Sequence, residues 1–211
     1  SEKTLAKTIE SVLQQTYDTV EYIIVDGNSS DHTVEIAEFY IEQFQNRGYQ
    51  YRILSEQDKG IYDAMNKGIH MATGELVGII NSDDWYEPIA LEKVVACYLE
   101  TAFDMFYADI RIHKKNKQVI KHSKMRKLVV SRDWNHPTTF IKRSIYDQYP
   151  YKLESIHDDW DLYLRIRKAG YHIEIQNEVL ANFQFGGVSN ERSLRKSYIR
   201  GKARYKIYRN N

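Results

Sequence analysis

The pattern of apolar and polar positions divides the chain into two halves of different design. In the first half, short and near-continuous apolar runs predict strands that are buried on both faces. These runs cover 21–25, 49–54 and 76–80. Amphipathic segments predict helices at 2–15, through Tyr40 and Phe44, at 61–71 and at about 88–100. Strands that alternate with helices through short connections predict an α/β fold, an open and mostly parallel sheet flanked by helices.

The order of these elements is unusual at the start of the chain. A helix over 2–15 leads into a buried strand, and no strand stands before that helix. A right-handed crossover between parallel strands begins with a strand. We therefore expect the first strand of the sheet to lie outside this sequence.

Beyond residue 103 the pattern changes. The apolar segments 103–112 and 118–122 flank a charged stretch, Lys114 to Lys117, which predicts a hairpin. An irregular stretch follows over 124–140. Helices are predicted at 143–148 and 159–169, and strands at 171–175 and 179–185. With no repeat and no linker, we interpret 1–211 as a single domain that consists of 1–100, 101–190 and a basic C-terminal helix over 191–211.

Composition excludes several classes of function. The 211 residues carry a formal net charge of +1, which provides no general attraction to nucleic acid. A single cysteine, Cys97, excludes an internal disulfide, and with the seven histidines dispersed a zinc site is not expected. Segment 191–211 holds eight basic residues and one acidic residue. A helix of this kind lies either on an anionic membrane surface or in solvent as a terminal helix.

Acidic residues follow strands or open helices at three places, namely Asp26, the pair Asp83 and Asp84, and the pair Asp158 and Asp159. Open α/β sheets bind ligands beyond the carboxyl ends of their strands. Paired carboxylates there suit Mg²⁺ or Mn²⁺ bound together with substrate phosphates, and a further carboxylate can take a proton from a hydroxyl. The structural alternative is that these residues only form turns and helix caps. The sequence has no P-loop and no G-x-G-x-x-G motif, so kinase and dehydrogenase functions have no support.

Three ordered segments resemble family-2 glycosyltransferases. The run Val25 to Thr33, VDGNSSDHT, resembles their DGxSxDxT motif, and Glu56 to Gly68, EQDKGIYDAMNKG, is similar to their ExDxGIYDAMNKG segment. ATGE at 72–75, followed by NSDD at 81–84, resembles a third motif. Looser similarities to the acceptor-side motifs lie at 136–140, 158–165 and 185–189. The members open with a strand at the nucleotide that nothing in this sequence matches.

The resemblance implies a GT-A-like fold, with a Rossmann-like nucleotide-sugar-binding half over 1–100 and an acceptor-side half over 101–190. It also implies a nucleotide-sugar donor, most often a UDP-sugar, with Mg²⁺ or Mn²⁺, and inversion at the anomeric carbon. Asp26 would contact the base, Asp83 would face the ribose, Asp84 would bind the metal and Asp159 would be the catalytic base. The remaining expected donor-site residues are Asn28, Asp58 and Lys59.

Four further residues have two readings each. His136 contacts the acceptor or a phosphate, or it is a structural hydrogen-bonding group before a proline. Asp158 belongs to the acceptor side or only caps a helix. Gly186 and Gly187 form a loop that closes over the donor, or an ordinary turn.

We therefore expect an inverting, metal-dependent glycosyltransferase that extends a cell-surface polysaccharide on a glycan or lipid-linked acceptor. It would work in the cytoplasm, in peripheral contact with the inner face of the membrane through 191–211. One alternative is a nucleotide-sugar-binding protein without transferase activity. Another is a sugar-1-phosphate nucleotidyltransferase, although its Gly-rich, Arg-containing loop is not seen.

Overall fold

A computed structural model describes residues 1–115, 117–127, 130–186, 201–203 and 205–209. The helices are α1 (Leu5–Leu13), α2 (Thr33–Phe39), α3 (Ile41–Arg47), α4 (Ile61–Met71), α5 (Ala90–Thr101), α6 (Arg143–Gln148) and α7 (Asp158–Lys168). The strands are β1 (Glu21–Asp26), β2 (Gln50–Ser55), β3 (Leu76–Gly78), β4 (Trp85–Tyr86), β5 (Met105–Lys114), β6 (Lys117–Lys121), β7 (Phe140–Lys142) and β8 (Ile173–Gln184). Short 3₁₀ helices cover Ser131–Asp133 and His136–Thr138.

Most predicted elements are present within a few residues of their predicted ends. Helix α4 has the predicted bounds, and the charged stretch joins β5 to β6 in an antiparallel hairpin. The two strands predicted at 171–175 and 179–185 are one long strand, β8, whose pairing with β5 shifts register at Asp109. The predicted helix at Tyr40 and Phe44 is two helices, α2 and α3, which meet at Tyr40.

The strands form two sheets. Strands β1 and β2 pair in parallel, from Glu21 opposite Gln50 to Asp26 opposite Ser55. The other six strands follow the order β3-β7-β5-β8-β4, and β6 pairs with β5. In this larger sheet only β5 and β8 are parallel. The α/β class with flanking helices is confirmed, but the expectation of a mostly parallel sheet is wrong, because connections such as the β5–β6 hairpin return the chain in the opposite direction.

The donor-side half has a gap in its sheet. Strand β1 pairs only with β2 and strand β3 only with β7, so each has one unpaired edge in the described part of the chain. Both strands line one cavity of about 1740 Å³, together with residues of α1, α4 and α5. Small-molecule pockets occupy roughly 300–1,000 Å³. The cavity therefore exceeds a nucleotide site alone, and it lies where two strand edges lack a partner.

Two apolar cores lie on opposite sides of β3. The first core cluster includes α1, α5 and the inner face of β5, with Ile9, Val94 and Phe106 fully buried. The second includes α7 and the other face of β5, with Ile166 fully buried. Along the run 76–80, Leu76 and Ile80 pack against the first cluster while Val77 and Ile79 pack against the second. Because both faces of this sheet are covered, its strands read as continuous apolar runs.

The basic C-terminal segment is only partly described. Residues 201–203 and 205–209 are helical, while 191–200 lie outside the described residues. Ile207 is buried in the second core cluster, and Lys206 pairs with Glu154 at 3.0 Å. One apolar position of this helix therefore packs against the protein. No helix in the described ranges is long and apolar enough to cross a bilayer.

Candidate active site

The carboxyl ends of β1 and β3 open into the cavity, and the predicted acidic residues gather there. Its lining includes Asp26 at the end of β1, Asp58 after β2, Asp83 after β3, His136 from a 3₁₀ helix and Asp159 from the first turn of α7. These five residues come from both halves of the chain. The remaining predicted residues lie outside this lining or outside the described residues.

Asp26 is held as a buried, ionised carboxylate. It is the last residue of β1, and its Oδ2 accepts hydrogen bonds from the Ser29 amide at 2.9 Å and the Ser55 hydroxyl at 2.7 Å. Burial alone would raise the pKa of Asp26, but the hydrogen bonds from Ser29 and Ser55 outweigh it and lower the pKa. A fixed anionic acceptor at this position suits the N–H groups of a nucleobase.

The turn after β1 packs closely against the loop after β2. A Cβ on Gly27 would lie 2.3 Å from Oδ2 of Asp58, so only glycine fits there without displacing this carboxylate. The other Asp58 oxygen, Oδ1, accepts the Gly60 amide at 2.7 Å. Asn28 has left-handed backbone with φ of 65° and is exposed, so it lies in the turn and not in the cavity lining.

Lys59 also lies outside the cavity lining. Its side chain is exposed, and its amide donates to Asp63 Oδ2 at 2.9 Å, ahead of α4. Lys59 therefore lies in the loop, whereas its neighbour Asp58 lines the cavity.

Asp83 and Asp84 differ in exposure and in hydrogen bonding. Asp83 is half-buried at the cavity, and burial raises its pKa. Asp84 is fully buried; its Oδ1 accepts the backbone amide of Gln184 at 2.9 Å, and its Oδ2 has no hydrogen-bond partner among the described residues. Burial raises the pKa of Asp84 to about 7, with the Gln184 amide opposing and Asp83 assisting this shift.

A divalent cation fits this donor set. The unpartnered Oδ2 of Asp84 is a hard oxygen ligand, and binding a cation would offset the cost of keeping a buried carboxylate ionised. Mg²⁺ and Mn²⁺ are commonly held by one or two carboxylates together with substrate phosphates. The described ranges contain no group of three or more His, Cys, Asp or Glu residues that could hold a metal without a substrate. The chemistry of Asp84 Oδ2 therefore fits a divalent cation that takes its other ligands from outside such a group.

Asp159 has one oxygen fixed and the other free. Its Oδ1 accepts hydrogen bonds from the Tyr62 hydroxyl at 3.0 Å and from the Trp160 amide at 2.8 Å. Its Oδ2 accepts none from the described residues, and the residue lines the cavity. Asp159 also lies in the first turn of α7. This geometry leaves one carboxylate oxygen free to take a proton.

Asp158 binds the loop that precedes α7 and does not cap the helix with its side chain. It is buried, and its carboxylate accepts the amides of Glu154 at 2.7 Å and Ser155 at 2.9 Å, as well as the Ser155 hydroxyl at 3.0 Å. Both of its oxygens hold the loop before α7, and the residue does not line the cavity. Asp161, in the same turn of α7, pairs with Arg165 at 2.7 Å.

His136 lies at the cavity beside Tyr151. The distance from the Tyr151 hydroxyl to His136 Nε2 is 3.4 Å. Burial lowers the pKa of His136, with Asp159 opposing, so the imidazole is neutral at pH 7. A neutral imidazole can donate or accept a hydrogen bond, according to its tautomer.

Of the two predicted glycines, Gly186 is described and Gly187 lies outside the described residues. Gly186 is exposed in the turn after β8, with φ of 142°, a value that favours glycine. This turn follows Gln184, whose amide holds Asp84. The turn is therefore attached to the candidate metal ligand.

Sequence reasoning missed several residues that hold the site. Ser55 binds Asp26, Tyr62 binds Asp159, and Asn66 binds the backbone of Tyr151. Tyr62 and Asn66 lie four residues apart in the segment 56–68, a spacing that puts them on one helix face. That spacing could have indicated a role in holding the site, because neither residue is needed to form the helix.

Comparison with known proteins agrees with this geometry. The sequence pattern of the family described as Glycosyl transferase family 2 matches residues 1–163. A PGL/p-HBAD biosynthesis glycosyltransferase of Mycobacterium bovis (strain BCG / Pasteur 1173P2) is 30% identical over 192 residues, which cover 88% of this chain and 74% of that protein. Glycosyltransferase GlyG of Streptococcus pneumoniae is 40% identical over 83 residues, or 39% of this chain and 26% of that protein.

Solved structures share the fold. S. aureus TarS 1-349 in complex with UDP-GlcNAc superposes with a TM-score of 0.74 at 18% identity, over 91% of this chain and 58% of that chain. The mannosyltransferase PcManGT from Pyrobaculum calidifontis, in complex with GDP-Man and Mn²⁺, gives a TM-score of 0.67 at 15% identity, over 86% of this chain and 53% of that chain. This chain spans a little over half the length of these solved chains. The expected GT-A-like fold is confirmed, and on its family match and its mycobacterial relative the chain belongs to glycosyltransferase family 2.

Proposed function

We propose that this chain transfers a sugar from a nucleotide-diphosphate sugar, with UDP as the nucleotide, to an acceptor hydroxyl, with inversion at the anomeric carbon and with a divalent metal. The observation that carries the proposal is the cavity in which Asp26 and Asp83 from the donor-side half meet Asp159 from the acceptor-side half. TarS, which shares the fold, is bound to UDP-GlcNAc, and PcManGT to a nucleotide sugar with Mn²⁺.

In this mechanism each carboxylate has a separate role. Asp26 accepts a hydrogen bond from the uracil N–H, and Asp83 faces the ribose. Asp84, with its unpartnered Oδ2, holds the metal, and a bound metal supplies positive charge that stabilises the leaving diphosphate. Asn28, Lys59 and the turn at Gly186 lie around the donor without lining the cavity.

The bond-making step belongs to Asp159. Its free Oδ2 takes the proton of the acceptor hydroxyl as that oxygen attacks the anomeric carbon. The bond from this carbon to the diphosphate oxygen breaks on the opposite face, so one displacement inverts the configuration. Neutral His136 lies beside the same cavity and suits hydrogen bonding to the acceptor or to a phosphate.

The acceptor in this proposal is a hydroxyl of a glycan or lipid-linked molecule in cell-surface polysaccharide synthesis, since the mycobacterial relative is a PGL/p-HBAD biosynthesis glycosyltransferase. The reaction takes place in the cytoplasm at the inner face of the membrane, with 191–211 in contact with anionic lipid. The full chain should then co-sediment with anionic vesicles and be released by salt, because basic segments lose lipid attraction as salt screens it. Equal sedimentation with neutral vesicles would contradict this location.

The test is a pair of variants measured for binding and for turnover. Asp159→Asn keeps the side chain's size but removes the base, so transfer should fall by about 10²–10⁴-fold while Mn²⁺-dependent UDP binding stays within about twofold. Asp84→Ala should remove the Mn²⁺ dependence of UDP binding. Calorimetric titration of UDP with and without Mn²⁺, together with release of UDP from UDP-sugars, measures both effects.

Asp147→Asn is the matched control, because Asp147 is exposed on α6 and lies outside the cavity lining. Joint loss of binding and transfer in Asp159→Asn would overturn the assignment of the base. A protein that binds UDP with Mn²⁺ but releases none from any UDP-sugar would be a binding protein. One that makes UDP-sugar from UTP and sugar phosphate would be a nucleotidyltransferase.

A further inference from the structure

Helix α4 carries a segment that the proposed reaction leaves without a role. Tyr62 and Asn66 lie one turn apart on this helix, so they point to the same side. Both contact the stretch 151–159, which leads into α7 and ends at Asp159. Helix α4 belongs to the donor-side half, and this stretch belongs to the acceptor-side half.

Tyr62 contacts the candidate base directly. Its hydroxyl lies 3.0 Å from Asp159 Oδ1 and 3.0 Å from the carbonyl oxygen of Ile156, and its single proton serves both acceptors. Its ring is buried and stacks on Tyr151, with centroids 5.2 Å apart. The hydroxyl is therefore held in place by packing, and it fixes the carboxylate through the oxygen that does not face an incoming proton.

Asn66 holds the start of the same stretch. Its Nδ2 donates to the Tyr151 carbonyl at 2.9 Å, and its Oδ1 accepts the Tyr151 amide at 3.1 Å. The two bonds satisfy both the N–H and the C=O of Tyr151, which fixes the backbone of this residue in position and orientation. The stretch 151–159 is thus fastened to α4 at both ends.

We propose that Tyr62 and Asn66 are positioning residues, which hold Asp159 Oδ2 at the acceptor hydroxyl by fastening the stretch 151–159 to α4. This inference rests on the proposed transfer reaction. Binding of the donor by the donor-side half and placement of the base Asp159 then both depend on one rigid helix, α4. Displacement of a reacting group by about 1 Å can cost 10²-fold in rate, so such fastening has a large effect on turnover.

The first experiment removes one oxygen atom. In Tyr62→Phe, kcat should fall about 10–100-fold with the KM for the UDP-sugar within about twofold, since the ring and its stacking remain. The acid-side fall of the pH profile of kcat should move to higher pH, because the ionised carboxylate has lost a hydrogen-bond donor. A residue that only supports folding would not shift this pH profile.

Tyr40→Phe is the matched control. The Tyr40 hydroxyl also donates to a carboxylate, Glu10, at 2.8 Å, and this buried tyrosine does not line the cavity. Its variant should keep kcat and the pH profile within about twofold of the parent chain. An unchanged kcat in Tyr62→Phe, an unmoved pH profile, or an equal loss in Tyr40→Phe would each overturn the proposal.

The second experiment needs no turnover. In Asn66→Ala, hydrogen exchange of the Tyr151 amide, followed by NMR, should speed up by about tenfold, and the Trp160 amide should follow. Unchanged exchange at both amides would overturn the proposal. If the parent chain transfers no sugar, the proposed function fails, and this exchange measurement still decides whether α4 holds the stretch 151–159.

Discussion

Strands β3 and β5, one from each half of the chain, differ in how many of their edges are paired with other strands. Strand β5 pairs with β8 on one edge and with β7 and β6 on the other, and its residues 105–110 are all buried. The run 76–80 that contains β3 is as apolar, yet all five of its residues are only half-buried. Strand β3 has a partner on one edge and the cavity on the other. Burial here follows the number of partners and not the composition of the strand.

The buried carboxylates show the same contrast. Asp109 of β5 accepts hydrogen bonds from His122 at 2.6 Å, from the Ser123 amide at 2.6 Å and from Asn177 at 3.1 Å. Asp84, next to β4, is equally buried, but its Oδ2 has no hydrogen-bond partner in the part of the chain that the structure describes. Both carboxylate oxygens of Asp109, in the acceptor-side half, thus have hydrogen-bond partners. In the donor-side half, β1 and β3 each have an edge at the cavity with no partner among the described strands, and Asp84 is buried just outside the cavity lining.

The largest expected effect on stability comes from adding a strand at the unpaired edges of β1 and β3. Ser1 lies at the carboxyl ends of β1 and β3, since its amino group bonds Asp31 and its hydroxyl bonds Ser82. An extended segment of six alternating Val and Ile residues, joined to Ser1 through a short polar turn, matches the length of β1 and would run parallel to it. Burial of the added apolar side chains stabilises the folded chain, and the lost conformational entropy of the added backbone opposes this. The net gain in the free energy of unfolding, measured by urea denaturation, should be on the order of 5 kcal/mol.

The control segment has the same length but carries Lys at alternate positions. Because both faces of the sheet at β3 are apolar, these charges would meet one of the two cores, and the segment should give no gain. Hydrogen exchange should slow in β1 and β3 only with the apolar segment. Equal gains from both segments, or a gain that depends on protein concentration, would contradict the idea that the open edges take up a strand.

The next expected effect is a change in the free energy of unfolding that has opposite signs for the two buried carboxylates, Asp84 and Asp109. Asp84 binds its proton more tightly in the folded chain, so the folded state holds more protons between about pH 4 and pH 7. Stability from this group is present below that range and lost as the pH rises through about 7. In chelator at pH 8, Asp84→Asn should raise the free energy of unfolding by about 2–4 kcal/mol, and the gain should shrink at pH 5.

Asp109→Asn should do the opposite under the same conditions. It removes a satisfied acceptor of three hydrogen bonds, so urea denaturation should show a loss of about 2–3 kcal/mol. If both variants are less stable than the parent chain at pH 8, then Asp84 has a hydrogen-bond donor in solution. Its carboxylate would then not be free to bind a metal.

Sequence reasoning predicted best where function and local pattern coincide. The amphipathic segment 61–71 predicted the bounds of α4, and Asp26 and Asp83 line one cavity with Asp159, while Asp84 does not. These predictions needed only helical spacing and the fact that strand ends share an edge.

The remainder depended on long-range pairing, which periodicity does not encode. Apolar runs read the same in parallel and antiparallel sheets, so the mixed pairing of β5 was not visible. Asp158 and Asp159 are adjacent and chemically identical, but only the second faces the cavity, because the first binds the loop at Glu154 and Ser155. Such choices are made by three-dimensional packing.

The smallest expected effect compares the two edges of β3 itself. Gly78 lies opposite Phe140 of β7, and a Cβ there would lie 2.3–2.7 Å from the buried Phe140 ring. Gly78→Ala should therefore lower the free energy of unfolding by about 1–3 kcal/mol in urea. Gly74→Ala is the control, since its Cβ would meet only the Leu76 carbonyl at an ordinary 3.5 Å.

The open edge gives β3 room to move away from Phe140 when the methyl group is added. A strand fused at Ser1 would remove that room, so Gly78→Ala should cost more in the fused chain than in the parent chain. The two substitutions would then be non-additive, as expected for residues that share one backbone element. If instead Gly78→Ala costs the same in both chains, and no more than Gly74→Ala, then β3 moves freely whether or not its second edge is paired. In that case the difference in burial between β3 and β5 would come from something other than strand pairing.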